Sequence, residues 1–128
     1  MTIVKEVDVI PFRNRLREQA AKIGMSLVNQ TKIMTAASEL ARNMLKYANG
    51  GVVLMEVVNK DRENGIRLTF TDEGPGIKDI KLAMQDGFST GKSLGLGLPG
   101  TKRLVSHFDI VSEVGKGTTV TIIKWKNG

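Results

Sequence analysis

The sequence predicts an α+β fold: a two-layer α/β sandwich whose mixed, mostly antiparallel sheet carries helices on one face. Three observations predict it. Two helical stretches stand near the start, between Pro11 and Ala48. A valine-rich run, Val52 to Asn59, is followed across a polar turn by the alternating run Ile66 to Thr71, the pattern of a hairpin. A second hairpin, Ile110-Val111 with Thr118 to Trp125, closes around Gly115-Lys-Gly117 after a helical insertion. Strand, two helices, hairpin, insertion and hairpin place helices and sheet in separate layers. The length of 128 residues suits one domain over residues 1–128.

Each element has a local reason. Residues 3–10 mix apolar and charged positions and suit a first strand. Pro11 fits the first turn of a helix, which runs from Phe12 to Ile23 and stops at Gly24. A second helix spans Ser26 or Leu27 to Ala48 and ends at Asn49-Gly50-Gly51. Asp61 to Gly65 is a turn, with Asn64-Gly65 its sharpest signal. A short helix is expected around Asp79 to Gln85, then a loop from Asp86 to Ser93. Leu98 to Phe108 reads as helix, with Pro99 tolerated in its first turn.

Composition excludes several classes of function. There is no cysteine, so disulfides, thiolate metal sites and cysteine nucleophiles are absent and a cytoplasmic address is expected. A single histidine cannot build a multi-histidine metal centre, and His107 reads as structural. Apolar runs are too short to span a membrane, and the first residues lack a signal-peptide pattern. The net charge of +6 favours anionic partners such as phosphates or an acidic protein surface. The basic residues are dispersed, so neither nucleic acid nor membrane is an expected partner.

The chemistry-bearing residues come in pieces. Projected at about 100° per residue, the apolar face of the second helix covers an arc of roughly 60° to 240° from Glu39, and Asn43 falls at about 40°. Glu39 and Asn43 therefore stand one turn apart on the border between core and solvent. A carboxylate and an amide there can face a cleft; equally, Glu39 can be a boundary residue paired with Arg42 or Lys46. Asp72 closes a strand before Glu-Gly-Pro-Gly-Ile77, where Gly74 and Gly76 permit close approach to a ligand. Asp72 can accept a hydrogen bond from an exocyclic amine such as that of adenine, or can simply favour the turn.

Two phosphate motifs are only apparent. Gly87-Phe-Ser-Thr-Gly91-Lys92-Ser93 is one residue short of a P-loop, with Asp86 where the first glycine is needed. Gly95-Leu-Gly97-Leu-Pro-Gly100 matches the dinucleotide fingerprint by letters but lacks the strand before it. What remains is a glycine loop leading into a helix start, which with Lys92 can hold a polyphosphate. Asn43 suits magnesium, which keeps most of its waters and needs few protein ligands.

In combination, Glu39-Leu-Ala-Arg-Asn43, Asp72-Glu-Gly-Pro-Gly76, Gly95-Leu-Gly97-Leu-Pro-Gly and Gly115-Lys-Gly117-Thr118 follow the order of the N, G1, G2 and GxGT boxes. The chain thus resembles the GHKL ATP-binding superfamily of gyrase and histidine kinases, with its Bergerat-type fold. Ser38 to Ala48, Asp86-Gly-Phe-Ser-Thr90 and Gly97 to Leu104 look like the RsbT-type switch serine kinases of bacterial stressosomes. The likeness covers about residues 3–126.

The resemblance implies an ATP site closed by a lid at 86–97. Asn43 would hold Mg²⁺, and Asp72 would bind the adenine amine with Thr118 supporting it through water. Gly74, Gly76, Ile77, Lys92, Gly95, Leu96 and Gly97 would complete the nucleotide site. Glu39 would take the proton from a serine hydroxyl. The implied substrates and scaffold are STAS-domain proteins, and the implied downstream partner is a PP2C-type phosphatase or another effector. Two other readings stand beside this one: an anti-sigma factor serine kinase of the same fold, and a nucleotide-sensing module that switches partners without catalysis. A two-component histidine kinase would need a phosphoacceptor helix pair for which the chain has no room.

Overall fold

Apolar residues at helical spacing define the layer that covers the sheet. The computed structural model describes residues 1–77, 84 and 97–128. In it, helix α1 (Val9–Lys22) buries Val9, Phe12, Leu16 and Ala20, and helix α2 (Leu27–Ala48) buries Ile33, Ala36, Ala37, Leu40, Ala41 and Met44. Both lie against a five-stranded sheet of β1 (Thr2–Ile3), β2 (Gly51–Lys60), β3 (Glu63–Asp72), β4 (His107–Glu113) and β5 (Gly117–Trp125). The inward residues of the strands, Val53, Ile66, Leu68, Phe70, Val120 and Ile122, complete one core with the helices. Phe12 meets Phe70 edge to face, with ring centroids 6.0 Å apart.

The order across the sheet is β1-β2-β3-β5-β4, and every pairing is antiparallel. The α+β sandwich is as expected, but the sheet holds no parallel pair among the described residues. The reason is topological: β2–β3 and β4–β5 are hairpins, and β5 returns beside β3 so that β4 falls outside. A third helix, α3 (Leu98–Leu104), precedes β4 and packs on α2. No helix among the described residues is long and apolar enough to cross a membrane.

Helix ends follow their local chemistry. Ser26 caps α2, its hydroxyl accepting the Asn29 N–H at 3.2 Å. Asn49 stops α2 in the left-handed region (φ 59°). Pro11 lies in the first turn of α1, as predicted.

Three expectations are corrected. The first strand ends at Ile3 and does not reach residue 10. The Asp8 carboxylate accepts the N–H groups of Val4 and Lys5, each at 3.0 Å, and bends the chain into a short 3₁₀ turn that feeds α1. These two donors hold the Asp8 carboxyl below its ordinary pKa. Helix α3 stops at Leu104 rather than Phe108, because Ser106 already donates its N–H to Ile123 at 2.8 Å and His107 and Phe108 are claimed by β4.

The third correction concerns the β2–β3 turn. It falls on Asp61 and Arg62 (φ 53° and 67°), not on Asn64-Gly65. Gly65 is a strand residue, and a Cβ there would come within 2.6 Å of the Trp125 ring. The glycine signal marks close packing on the neighbouring strand, not a turn. The expected helix at 79–85 falls on residues outside those described, Met84 excepted.

Phe12 is fully buried and carries the main aromatic contact between helix and sheet. Phe12→Ala is expected to destabilise the fold by about 3–5 kcal/mol, read from the midpoint shift in urea unfolding.

Candidate active site

The end of β3 and the start of β5 are joined by a single carboxylate. Asp72 pairs with Thr118 in the sheet register. Its Oδ1 accepts the Gly74 N–H at 2.9 Å and the Thr118 N–H at 3.2 Å. Both bonds fall on one oxygen, so Oδ2 keeps its acceptor capacity. Close approach here requires glycine at two positions. Gly117 has φ +126°, and a Cβ on it would meet the Asp72 carbonyl oxygen at 2.0 Å. Gly76 has φ +78°, and a Cβ would lie 2.4 Å from the Glu113 carbonyl oxygen.

Below the Asp72 turn lies a cavity between α2 and the sheet. Asn43, Asp72, Gly76, Ile77 and Thr118 line it, five of the residues singled out from sequence. Its walls are otherwise apolar or aromatic, from Leu40, Met44, Tyr47, Phe70, Leu98, Ile110 and Val120. A mainly apolar cavity with the Asp72 carboxylate and the Thr118 hydroxyl in its lining is suited to a heteroaromatic base: burial supplies affinity, and the polar groups can read the edge. Gly74 flanks the site, donating to Asp72 and lying against Ala48.

Ser112 was not legible from residue type alone. Its hydroxyl accepts the Ile77 N–H at 2.7 Å, donates to the Gly117 carbonyl at 3.1 Å and lies 2.7 Å from the Thr118 hydroxyl. A hydroxyl has one proton. With the Ser112 proton on Gly117, the Thr118 hydroxyl must donate to Ser112, and its lone pairs turn to the cavity. Ser112 therefore sets Thr118 as an acceptor. The signal that could have found it is the hairpin register: a turn centred on Gly115 puts Ser112 opposite Thr118.

Glu39 and Asn43 are both half-buried on α2, at the border the helical projection gave. They diverge, however. Asn43 lines the cavity, whereas Glu39 lines an adjacent open groove together with Arg13, Arg17, Ser38 and Arg42. Gly97, at the start of α3, packs against Glu39; a Cβ on it would be 2.9 Å from Oε1. Of the two cations considered as partners for Glu39, Arg42 lies 3.9 Å from Glu6 in an exposed, weak pair, and the Lys46 amine lies over the Tyr47 ring at 5.2 Å. Lys92, Gly95, Leu96 and the rest of the 86–96 segment lie outside the described residues.

This site coincides with a family match. Residues 28–127 match the family of histidine kinase-, DNA gyrase B-, and HSP90-like ATPases. The chain belongs to this ATPase family. Among curated relatives it is 44% identical over 123 residues to serine/threonine-protein kinase RsbT of Bacillus subtilis (strain 168), covering 96% of this chain and 92% of that protein. It is 34% identical over 112 residues to the anti-sigma F factor of Geobacillus sp. (strain WCH70), covering 82% of this chain and 75% of that protein. Among solved structures, full-length ShkA in complex with AMPPNP superposes with a TM-score of 0.57 at 18% identity. That alignment covers 96% of this chain and 30% of ShkA, and it supports the fold. The chain is thus an RsbT-like serine/threonine kinase homologue of the GHKL type, and its family domain is an ATP-binding one.

The Ser112 network generates a prediction. Ser112→Ala leaves the Ile77 N–H without its acceptor and frees the Thr118 proton to rotate. It is expected to cost about 1–3 kcal/mol of stability in urea unfolding. ATP-analogue affinity by calorimetry should weaken by about tenfold, equivalent to about 1.4 kcal/mol.

Proposed function

We propose that the chain is an ATP-dependent protein serine kinase that phosphorylates STAS-domain antagonist or scaffold proteins in a bacterial stressosome partner-switching pathway. The observation that carries this reading is the divergence of Glu39 and Asn43. One turn of α2 presents an amide to the nucleotide cavity and a carboxylate to an open groove. A binding module needs only the first. A transferase needs the second on the side where another substrate enters.

In this reading adenine occupies the slot lined by Tyr47, Ile77 and Ile110. Asp72 accepts from its amine, and Thr118 supports that contact through water. Lys92, Gly95, Leu96 and Gly97 would complete the nucleotide site by holding its phosphates. Asn43 fits Mg²⁺: its side chain lines the cavity at the rim, and a magnesium ion that keeps its waters and phosphate oxygens needs one amide oxygen from the protein. Magnesium bound there would neutralise charge on the phosphates.

The serine hydroxyl oxygen attacks the γ-phosphorus as the bond to the β–γ bridging oxygen breaks. ADP leaves, and the hydroxyl proton passes to the Glu39 carboxylate. Positioning and charge neutralisation supply most of the acceleration. The kinase would work in the cytoplasm. Release from its phosphorylated scaffold would let it engage a PP2C-type phosphatase or another effector.

The anti-sigma factor kinase remains the second reading, since anti-sigma F factors are also similar to this chain. The higher identity and fuller coverage of RsbT favour the STAS-directed kinase. Capture of a co-encoded STAS protein, rather than a sigma factor, on the immobilised chain is the separating experiment.

Two substitutions test the assigned roles. Glu39→Ala is expected to retain ATP binding and to lose about 10²–10⁴-fold in phosphotransfer to serine, measured with radiolabelled ATP. Transfer at the wild-type rate would remove Glu39 as the base. Asn43→Ala is expected to abolish Mg²⁺-dependent ATP binding in calorimetry; affinity that stays the same with and without the metal would contradict the assignment.

A further inference from the structure

The groove that carries Glu39 extends well beyond it. It follows α2 from Leu27 to Arg42, about 22 Å at 1.5 Å per residue, and encloses about 470 Å³. Its two walls differ in kind. On α2, the Thr31 and Ser38 hydroxyls donate to the carbonyls of Leu27 and Met34 in their own helix, at 2.9 and 2.7 Å. These groups are already satisfied. On α1, Arg13 and Arg17 stand one turn apart and face the groove, and Arg42 joins them near Glu39.

The arginines are weakly committed. Arg42 reaches Glu6 only at 3.9 Å with both side chains exposed, an ion pair of little worth. Arg17 meets Asn14 at 3.5 Å, the outer limit of a hydrogen bond. The Arg13 Nε is buried and has no hydrogen-bond acceptor among the described residues. Glu39 is the only carboxylate among the described residues that line the groove. Guanidinium groups held in this state are ready for bidentate carboxylates.

We propose that this groove docks an acidic segment of the protein substrate, its carboxylates on Arg13, Arg17 and Arg42 and its acceptor serine beside Glu39. The inference rests on the kinase reading above. The groove's length matches about six or seven extended residues at 3.3 Å each. Leu27, largely exposed, gives its far end an apolar contact for one side chain of the bound segment. The charge balance sets the polarity: a basic segment would face three arginines, while its contact with Glu39 would compete with the serine. Docking of this kind acts on KM for the protein and not on ATP affinity, and it weakens as salt rises.

The test uses the full chain with two readouts. The first is fluorescence anisotropy of a labelled nine-residue peptide with glutamates flanking one serine, against a lysine counterpart. The second is steady-state phosphorylation of a co-encoded STAS-domain protein, with ATP binding followed by calorimetry. The exposed Arg17→Glu should weaken the acidic peptide about tenfold and raise KM for the STAS protein by a similar factor. ATP affinity should be unchanged. Lys60→Glu, at the far end of the sheet, makes the same change in net charge and should leave both readouts as in wild type.

Equal losses in Lys60→Glu and Arg17→Glu would overturn the proposal, since net charge alone would then explain binding. So would unchanged peptide affinity and KM in Arg17→Glu, or preference for the lysine peptide. If Arg17→Glu weakens the acidic peptide while no STAS protein is phosphorylated even by wild type, the groove stands and the STAS assignment falls.

Discussion

The site depends on one carboxylate oxygen. Asp72 Oδ1 holds the Gly74 N–H and the Thr118 N–H together, and so fixes the end of β3 to the beginning of β5. A charged acceptor on two backbone donors makes a strong, directional joint. It sets the depth of the Asp72–Ile77 turn and, through Gly117, the spacing of the β4–β5 hairpin. Ser112 extends the joint by one step, tying the Ile77 N–H to the Thr118 hydroxyl. These bonds fix the orientation of the Asp72 carboxylate and the Thr118 hydroxyl that line the cavity.

Helix α2 supplies another wall of the cavity. Its buried face anchors it against β3 and β5, and its flank divides two compartments. Asn43 is inside the nucleotide cavity and Glu39 is in the groove, separated by about 6 Å of helix rise. Such a partition leaves one helix lining two separate spaces, a cavity against the sheet and a groove against α1. The kinds of residue differ between the two: apolar and aromatic around the cavity, hydroxyl and guanidinium along the groove.

Much of this was legible in the sequence, and the failures have physical causes. The border position of Glu39 and Asn43 follows from 3.6-residue periodicity, since α2 is a regular helix with a strong apolar stripe. Gly76 was legible because its left-handed backbone restricts residue choice, Asp72 because it closes a strand before a glycine turn, and Thr118 only through the resemblance to the family's GxGT box. The Asn64-Gly65 turn was misplaced because glycine also serves where a strand must pass beneath a tryptophan ring. The first strand was drawn too long because a single Asp8 carboxylate outcompetes sheet pairing with two local bonds. Ser112 went unnamed because its role comes from the register of two strands and not from its neighbours in sequence. The arginines of α1 were invisible for the same reason: only the packing of α1 on α2 places Arg13 and Arg17 in one groove with Glu39.

The start of α3 binds these parts to one another. Gly97 is left-handed (φ 63°), and its carbonyl accepts both the N–H and the hydroxyl of buried Thr101, at 3.0 and 3.1 Å. The residue that opens α3 is therefore fixed to the helix that follows. Its Cα faces Glu39 so closely that a Cβ would strike the carboxylate. Leu98, the next residue, lines the nucleotide cavity from the other side. One short step of chain thus touches the carboxylate in the groove and the wall of the base slot in succession. A Cβ at position 97 would displace the flexible end of Glu39, and the left-handed backbone there would strain any side chain, so both the contact and the angle favour glycine.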